Sequence, residues 1–192
     1  MSRRLSRPNI VVALVMVAVL SGCTAPSKDA PSLSSQAATS EAATGTPTPT
    51  VDPAVAAAEV AVLEAYRGFW AAKVAWYADP SVDTDSNLSH YAIDKALADT
   101  QSTVLSFRAG RIVVPGEPVL SPSVSGVTLG EAPRATIRDC VDISNWQAIF
   151  RDTRENAVAP GQLVRVVALA EAAMFDGRWV IRTYAAQRDR SC

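Results

Sequence analysis

The pattern of apolar and polar positions divides the chain into four segments. An uncharged apolar run, Ile10 to Leu20, comes first, and Thr24 to Asp52 is poor in large apolar residues. Helical spacing of apolar residues begins at Pro53, and from Arg111 onward apolar and polar residues alternate as they do in strands. Helices followed by a run of antiparallel strands predict an α+β domain over residues 53–192.

The first predicted helix begins at Asp52-Pro53, because Asp is a favoured N-cap and Pro a favoured first helical residue. Asp79-Pro80 ends it. Its apolar stripe comprises Val62, Leu63, Tyr66, Phe69, Trp70, Val74, Trp76 and Tyr77. We interpret this stripe as core; a platform for stacking a cofactor is the alternative.

Downstream, a polar loop over residues 81–87 and a short turn over residues 88–92 lead to a second helix, which Gly110 is expected to cap. The alternating segments that follow predict strands at Ile112–Val114, Val119–Val127, Arg134–Ile143, Leu163–Phe175 and Arg178–Tyr184. Asp176-Gly177 predicts a two-residue hairpin between the last two strands.

A long connection, Ser144 to Gly161, joins two of the predicted strands. It contains Trp146, Ile149 and Phe150 among charged residues. These side chains either form a ribbon that binds a partner or, as we favour, fold back over the edge of the sheet.

The amino terminus is interpreted as a secretory signal peptide over residues 1–22. Three arginines precede the apolar run, which is eleven residues long and is too short for a membrane-spanning helix, since such a helix needs about 20. Leu20-Ser21-Gly22-Cys23 resembles the lipobox of bacterial lipoproteins. The resemblance implies that Cys23 is diacylated and anchors the chain to the membrane through two acyl chains. The alternative is an ordinary cleaved signal that leaves Cys23 as a free thiol.

Residues 24–52 are interpreted as a disordered tether, because 21 of these 29 residues are Ser, Thr, Ala or Pro. Together with Cys23 the tether spans residues 23–52. Without residues 1–22 the chain carries 15 basic and 19 acidic groups, a net charge of -4, so that we expect no nucleic-acid partner. A single histidine, a sparse set of cysteines and the lack of phosphate-binding motifs predict no metal site and no cofactor.

Residues 53–192 resemble the NTF2-like superfamily, the cone-shaped fold shared by ketosteroid isomerase-like proteins, and especially the secreted lipoproteins of actinobacteria that carry such a domain. The resemblance rests on the order of elements, on Ala-Thr-Ile-Arg-Asp-Cys-Val-Asp at 135–142, on Trp146, on Asp-Gly-Arg-Trp at 176–179 and on Cys192. It implies two to three N-terminal helices packed on a curved antiparallel sheet. It transfers no catalytic motif, because the superfamily contains both enzymes and binding modules.

If Cys23 is lipidated, Cys140 and Cys192 are the remaining thiols, and an exported protein keeps such a pair oxidised. We therefore expect a Cys140–Cys192 disulfide. A reactive thiol at Cys140 is the alternative.

Alternation along the strand at 134–143 places Asp139 on the apolar face, the one position where the sequence breaks its own pattern. A carboxylate there either accepts hydrogen bonds and orders the core, which we favour, or has its pKa raised and moves protons in a cavity near Tyr66 and Trp70. The opposite, polar face collects Arg138, Asp142, Arg165, Glu171 and Arg182. That face is either solvated or the docking side of a homodimer. His90 is expected on the surface.

These observations favour a non-catalytic, membrane-anchored extracytoplasmic domain that binds a small molecule or an envelope protein. The alternative is a cavity enzyme of the ketosteroid isomerase or epoxide hydrolase type that uses Asp139.

Overall fold

The computed structural model describes residues 52–82 and 85–192. The expected signal peptide, Cys23 and nearly all of the tether lie outside the described residues. Residues 52–192 belong to one compact unit. Within the described ranges, no helix has the length and apolar character required to cross a membrane.

In the part of the chain that the structure describes, three helices precede the sheet: α1 (Pro53–Ala78), α2 (Asp85–Tyr91) and α3 (Asp94–Gly110). The predicted start of α1 is confirmed, because the Asp52 carboxylate accepts a hydrogen bond of 2.8 Å from the amide of Ala54. Its predicted end is confirmed too, since Asp79 follows the last helical residue. The predicted turn over residues 88–92 is instead the second half of a short helix, α2.

The prediction that Gly110 caps α3 is wrong by one residue. Gly110 is the last helical residue, and Arg111 adopts the left-handed conformation with φ 53°. Its amide donates back to the carbonyl oxygen of Arg108 at 3.2 Å. This bond satisfies one of the free carbonyl oxygens at the end of α3, which is the role usually played by a glycine in the left-handed conformation.

Within residues 85–192, which are all described, six strands follow α3: β1 (Ile112–Val113), β2 (Ser123–Thr128), β3 (Arg134–Asp142), β4 (Ile149–Phe150), β5 (Arg165–Phe175) and β6 (Arg178–Gln187). Four of them form an antiparallel sheet in the order β2-β3-β5-β6, and β1 pairs with β4 in a separate two-stranded sheet. The strand expected over residues 119–127 is shorter in the structure, where β2 begins at Ser123. Val119 lies outside it and makes only an isolated bridge to Asp142. The α+β class is therefore confirmed, with helices packed on an antiparallel sheet.

The predicted hairpin between β5 and β6 is confirmed. Asp176 and Gly177 both have positive φ, 48° and 75°, and Phe175 faces Arg178 across the turn. Two successive residues with positive φ match the right-handed twist of paired strands.

Helices α1 and α3 cover one face of the four-stranded sheet, and the core lies between these helices and the sheet. The alternation predicted for β3 is confirmed, because Ala135, Ile137, Asp139 and Val141 are all buried. Gly68 lets α2 approach α1, since a Cβ at that position would lie 2.3 Å from the ring of Tyr91. The domain thus places one face of α1 directly over the apolar face of the sheet.

Candidate functional site

A cavity of about 540 Å³ lies between α1, α3 and the helix-covered face of the sheet. Aliphatic side chains from β3, β5 and the loop before β5 line part of it. Its aromatic lining residues are Trp70, Tyr77, Phe107, Trp146 and Tyr184. Cavities of this size and apolar character accommodate small organic molecules.

Lys73 of α1 is the charged centre of this cavity and is only 8% exposed. Its ammonium nitrogen lies 4.3 Å from the ring centroid of Tyr184 and 4.5 Å from that of Trp70. Tyr77 and Phe69 present their rings at 5.5 and 5.6 Å. Within the described ranges, Lys73 makes no ion pair and no hydrogen bond. Four aromatic rings therefore lie within 6 Å of the ammonium group.

Burial, together with the smaller effect of the nearby positive charge of Arg188, lowers the pKa of Lys73 to about 7. The ring faces act in the opposite direction, because their negative quadrupoles stabilise the ammonium form. Burial also raises the pKa values of Tyr77 and Tyr184, so that both phenols remain neutral near pH 7. Lys73 is therefore a buried basic group whose charge can change near neutral pH.

The other charged groups of the cavity leave it with an excess of positive charge. Arg188, which follows β6, is exposed and lines the cavity. Asp99 of α3 also lines it, but its carboxylate is already paired with Lys95 at 2.6 Å. Throughout the part of the chain that the structure describes, no group of three His, Cys, Asp or Glu side chains is arranged to hold a metal ion.

Two indole groups of the cavity wall carry buried N–H donors. The Nε1 atom of Trp146 has no hydrogen-bond acceptor within the described residues, whereas that of Trp70 is directed at the Tyr66 hydroxyl on the core side of the wall. Trp146 stacks on Tyr77 with the ring planes 2° apart and lies edge-on to Trp70 at 5.4 Å. Buried donors without acceptors are rare in native proteins, and each requires an explanation.

Asp139 lies in the core, 1% exposed, with both of its oxygens bonded. The Tyr66 hydroxyl donates to Oδ2 at 3.0 Å, and the amide of Ser121 donates to Oδ1 at 2.6 Å. Burial raises the pKa of Asp139, and these two bonds partly oppose the rise. Burial likewise raises the pKa of Tyr66. The contacts are those expected of a carboxylate that orders the core.

The three residues that the sequence grouped as a pocket lie next to one another, but they do not all line the cavity. Trp70 lines the cavity, whereas Tyr66 and Asp139 do not. Tyr66 lies next to Trp70, with the two rings edge-on and their centroids 6.5 Å apart. The Asp139–Tyr66 pair therefore lies behind the aromatic wall.

The predicted disulfide is confirmed, because Cys140 and Cys192 are bonded with their Cα atoms 5.8 Å apart. The bond fastens the segment after β6 to β3. The amide of Val167 also donates to the carbonyl oxygen of Arg190 at 3.0 Å, which holds the same segment against β5.

The predicted polar face is correct for four of its five residues. Arg138, Asp142, Arg165 and Glu171 lie on the face away from the helices, where Arg165 and Asp142 are 3.8 Å apart across the strands. Arg182 does not lie on that face. The register of β5 and β6 shifts beside Glu171, so that Arg182 has no partner residue on β5 and departs from the alternation of β6. It pairs instead with Asp94 at the start of α3, at 2.7 Å.

The remaining expectations concern the long loop and His90. Trp146 folds back into the core, as we favoured, while Ile149 and Phe150 form β4 against β1. His90 is exposed and its ring contacts Tyr91 edge-on. Neither Phe150 nor His90 lines the cavity.

Sequence analysis missed Lys73, although the signal was present. Lys73 follows Phe69 by four residues and precedes Tyr77 by four, so that helical geometry places it in the middle of the apolar stripe. The statement that Asp139 is the one break in the pattern is therefore wrong, because Lys73 is a second.

Comparisons with known proteins provide no functional guide. No family model and no curated protein matches the chain. Among solved structures, the crystal structure of the intermembrane space region of the chloroplast protein ARC6 matches 72% of this chain and 98% of its own, at 14% identity and a TM-score of 0.42. A likeness this distant carries no argument about ligand or activity.

Proposed function

We propose that this chain is a membrane-anchored extracytoplasmic lipoprotein whose domain, an NTF2-like one, binds a small molecule in the cavity around Lys73 and catalyses no reaction. The observation that carries the proposal is an aromatic cavity that holds a buried ammonium group with no anionic partner in the described residues. A buried charge without a partner is costly, and proteins keep such groups at functional sites.

The alternative, an enzyme that uses Asp139, has less support. A general base must reach its substrate within about 2.6–3.2 Å. The oxygens of Asp139 are bonded to Tyr66 and Ser121, and the residue does not line the cavity. We therefore assign Asp139 to the stability of the core and Lys73 to binding.

The location rests on two features. The disulfide is consistent with an oxidising compartment outside the cytoplasm. The lipobox-like segment ending at Cys23 supplies the anchor, since two acyl chains give the double signal that stable membrane attachment requires.

Binding is tested by titration calorimetry on the full chain with 2-naphthoate and with 2-naphthalenemethanol. Ala157 lines the cavity, and Ala157→Trp fills it. Ala98 is exposed on α3 and outside the cavity, so that Ala98→Trp is the matched control. We expect binding to the parent chain and to the Ala98 variant, and at least a tenfold loss in the Ala157 variant. Asp139→Asn is expected to bind as the parent does; loss of binding in that variant would favour the enzyme alternative.

The anchor is tested by labelling bacterial cells that express the full chain with an alkyne analogue of palmitate. The parent chain is expected to take up label and to sediment with membranes. Cys23→Ser is expected to lose both properties. Cys192→Ser is the matched control and should keep the label, because it removes a thiol from the disulfide and not from the lipobox. Label retained by the Cys23 variant would refute the anchor.

A further inference from the structure

The charges around the cavity select the kind of molecule that fits it. Its lining contains two cations, Lys73 and Arg188, and one carboxylate, Asp99, which is already occupied by Lys95. No other carboxylate lies among the lining residues. A ligand that brings a negative charge would neutralise a group that the domain itself leaves unpaired.

The hydrogen-bonding groups of the wall point to the same chemistry. Trp146 has a buried N–H donor without an acceptor in the described part of the chain. Lys73 adds an ammonium group that has four ring faces within 6 Å and no hydrogen-bond acceptor in the described residues. A carboxylate is an acceptor-only group with two oxygens, and it suits a wall that offers donors and a positive charge.

We propose that the cavity binds an organic acid, with an apolar or aromatic body against the ring walls and one carboxylate paired with the ammonium of Lys73. This inference rests on the proposed function, because it names the class of ligand that the cavity holds. Arg188, at the exposed part of the lining, attracts the anion, and the aromatic residues exclude water from the ion pair.

Formation of the ion pair depends on the proton of Lys73. Below pH 7 the group is charged and available to an anion, and above that pH a proton must be taken up as the acid binds. The other titratable groups facing the cavity are Tyr77 from α1, Asp99 from α3, and Tyr184 and Arg188 from the β6 side. The two phenols are neutral until well above pH 9, so that a change between pH 6.5 and 9 reports on Lys73.

The test compares three ligands that share one body: 2-naphthoate, 2-naphthalenemethanol and 2-naphthylmethylammonium. A second series with an octyl chain repeats the comparison. Titration calorimetry on the full chain at pH 6.5 is expected to show the acid binding at least tenfold tighter than the alcohol, and the ammonium compound weakest. At pH 9 the advantage of the acid over the alcohol should fall by tenfold or more.

Lys73→Met removes the charge and keeps all but one atom of the length of the side chain, so that the acid should lose its advantage while the alcohol binds as before. Arg67→Gln is the matched control, because Arg67 is an exposed cation on the same helix. Equal binding of acid and alcohol to the parent chain would overturn this inference and leave the proposed function intact. Preference for the acid that survives in the Lys73 variant would also overturn it. If no compound of either series binds, the proposed function fails and this inference fails with it.

Discussion

Replacing Lys73 by methionine should stabilise the ligand-free protein, and the gain should depend on pH. The pKa of Lys73 falls from 10.5 to about 7 on folding, and a fall of that size corresponds to about 5 kcal/mol of destabilisation when the group is charged. The attraction between the ammonium group and the aromatic faces offsets up to about 2 kcal/mol of this destabilisation. We therefore expect Lys73→Met to raise the free energy of unfolding by about 3 kcal/mol at pH 6.

The sign of the pH dependence follows from proton binding. The folded protein holds the proton of Lys73 less tightly than the unfolded chain, so that the unfolded chain binds more protons between pH 7 and 10.5. The contribution of Lys73 to the stability of the parent chain therefore rises with pH across this window. Below pH 7 both states are protonated and the penalty is complete, and above pH 10.5 both are neutral and the penalty is gone. The gain from Lys73→Met should accordingly shrink as the pH rises towards 10.

Urea denaturation of the parent and variant chains at pH 6, 8 and 9.5 measures this difference. Subtracting one free energy of unfolding from the other cancels the titration of all groups that the two chains share. Arg67→Gln, an exposed change on the same helix, should give a difference near zero at every pH. A Lys73 variant that is less stable than the parent chain at pH 6, or a gain that is the same at all three pH values, would refute the description of Lys73 as an uncompensated buried cation.

Three further changes test the surrounding framework. Replacing both disulfide cysteines, Cys140 and Cys192, by serine should cost about 4 kcal/mol, because the bond closes a loop spanning 52 positions, and thermal unfolding without reductant measures the loss. Tyr66→Phe removes one of the two bonds to the core carboxylate and should cost about 1.5–3 kcal/mol at pH 8 and less at pH 4, where that carboxyl is nearer to its protonated form; urea titrations at the two pH values decide it. Gly68→Ala should destabilise by about 1–3 kcal/mol, because its Cβ meets the ring of Tyr91, and combining it with Tyr91→Ala should recover most of the loss in thermal unfolding.

The sequence predicted those parts of the fold in which local rules operate alone. The start and end of α1, the alternation along β3 and the turn at Asp176-Gly177 all follow from caps, period and turn chemistry, and the structure confirms them. Arg182 could not be placed, because a register shift between strands depends on pairing and leaves no mark in the alternation of one strand. The pairing of β1 with β4 was out of reach for the same reason.

The candidate site was predicted only in part, for a different reason. Asp139 was found because a carboxylate stands out in a strand with period two, but the identity of Tyr66 as its donor depends on the packing of α1 on β3 and appears only in the structure. Lys73 was overlooked, although it lies in the middle of the apolar stripe, because long cationic side chains on amphipathic helices commonly extend to solvent. That the side chain of Lys73 is buried becomes visible only in the three-dimensional packing of Trp70, Tyr77 and Tyr184 around it.

The bond between Cys140 and Cys192 also determines what a protease can do to this domain. Strands β5 and β6, and the exposed residues 151–156 that precede them, all lie between the two linked cysteines. A single cut within residues 151–156 leaves two polypeptides that are still joined covalently, one carrying the helices and the other carrying β5 and β6. A nicked molecule can therefore keep both halves of its cavity together, whereas the same cut in a chain without the bond would leave the two fragments held by non-covalent contacts alone.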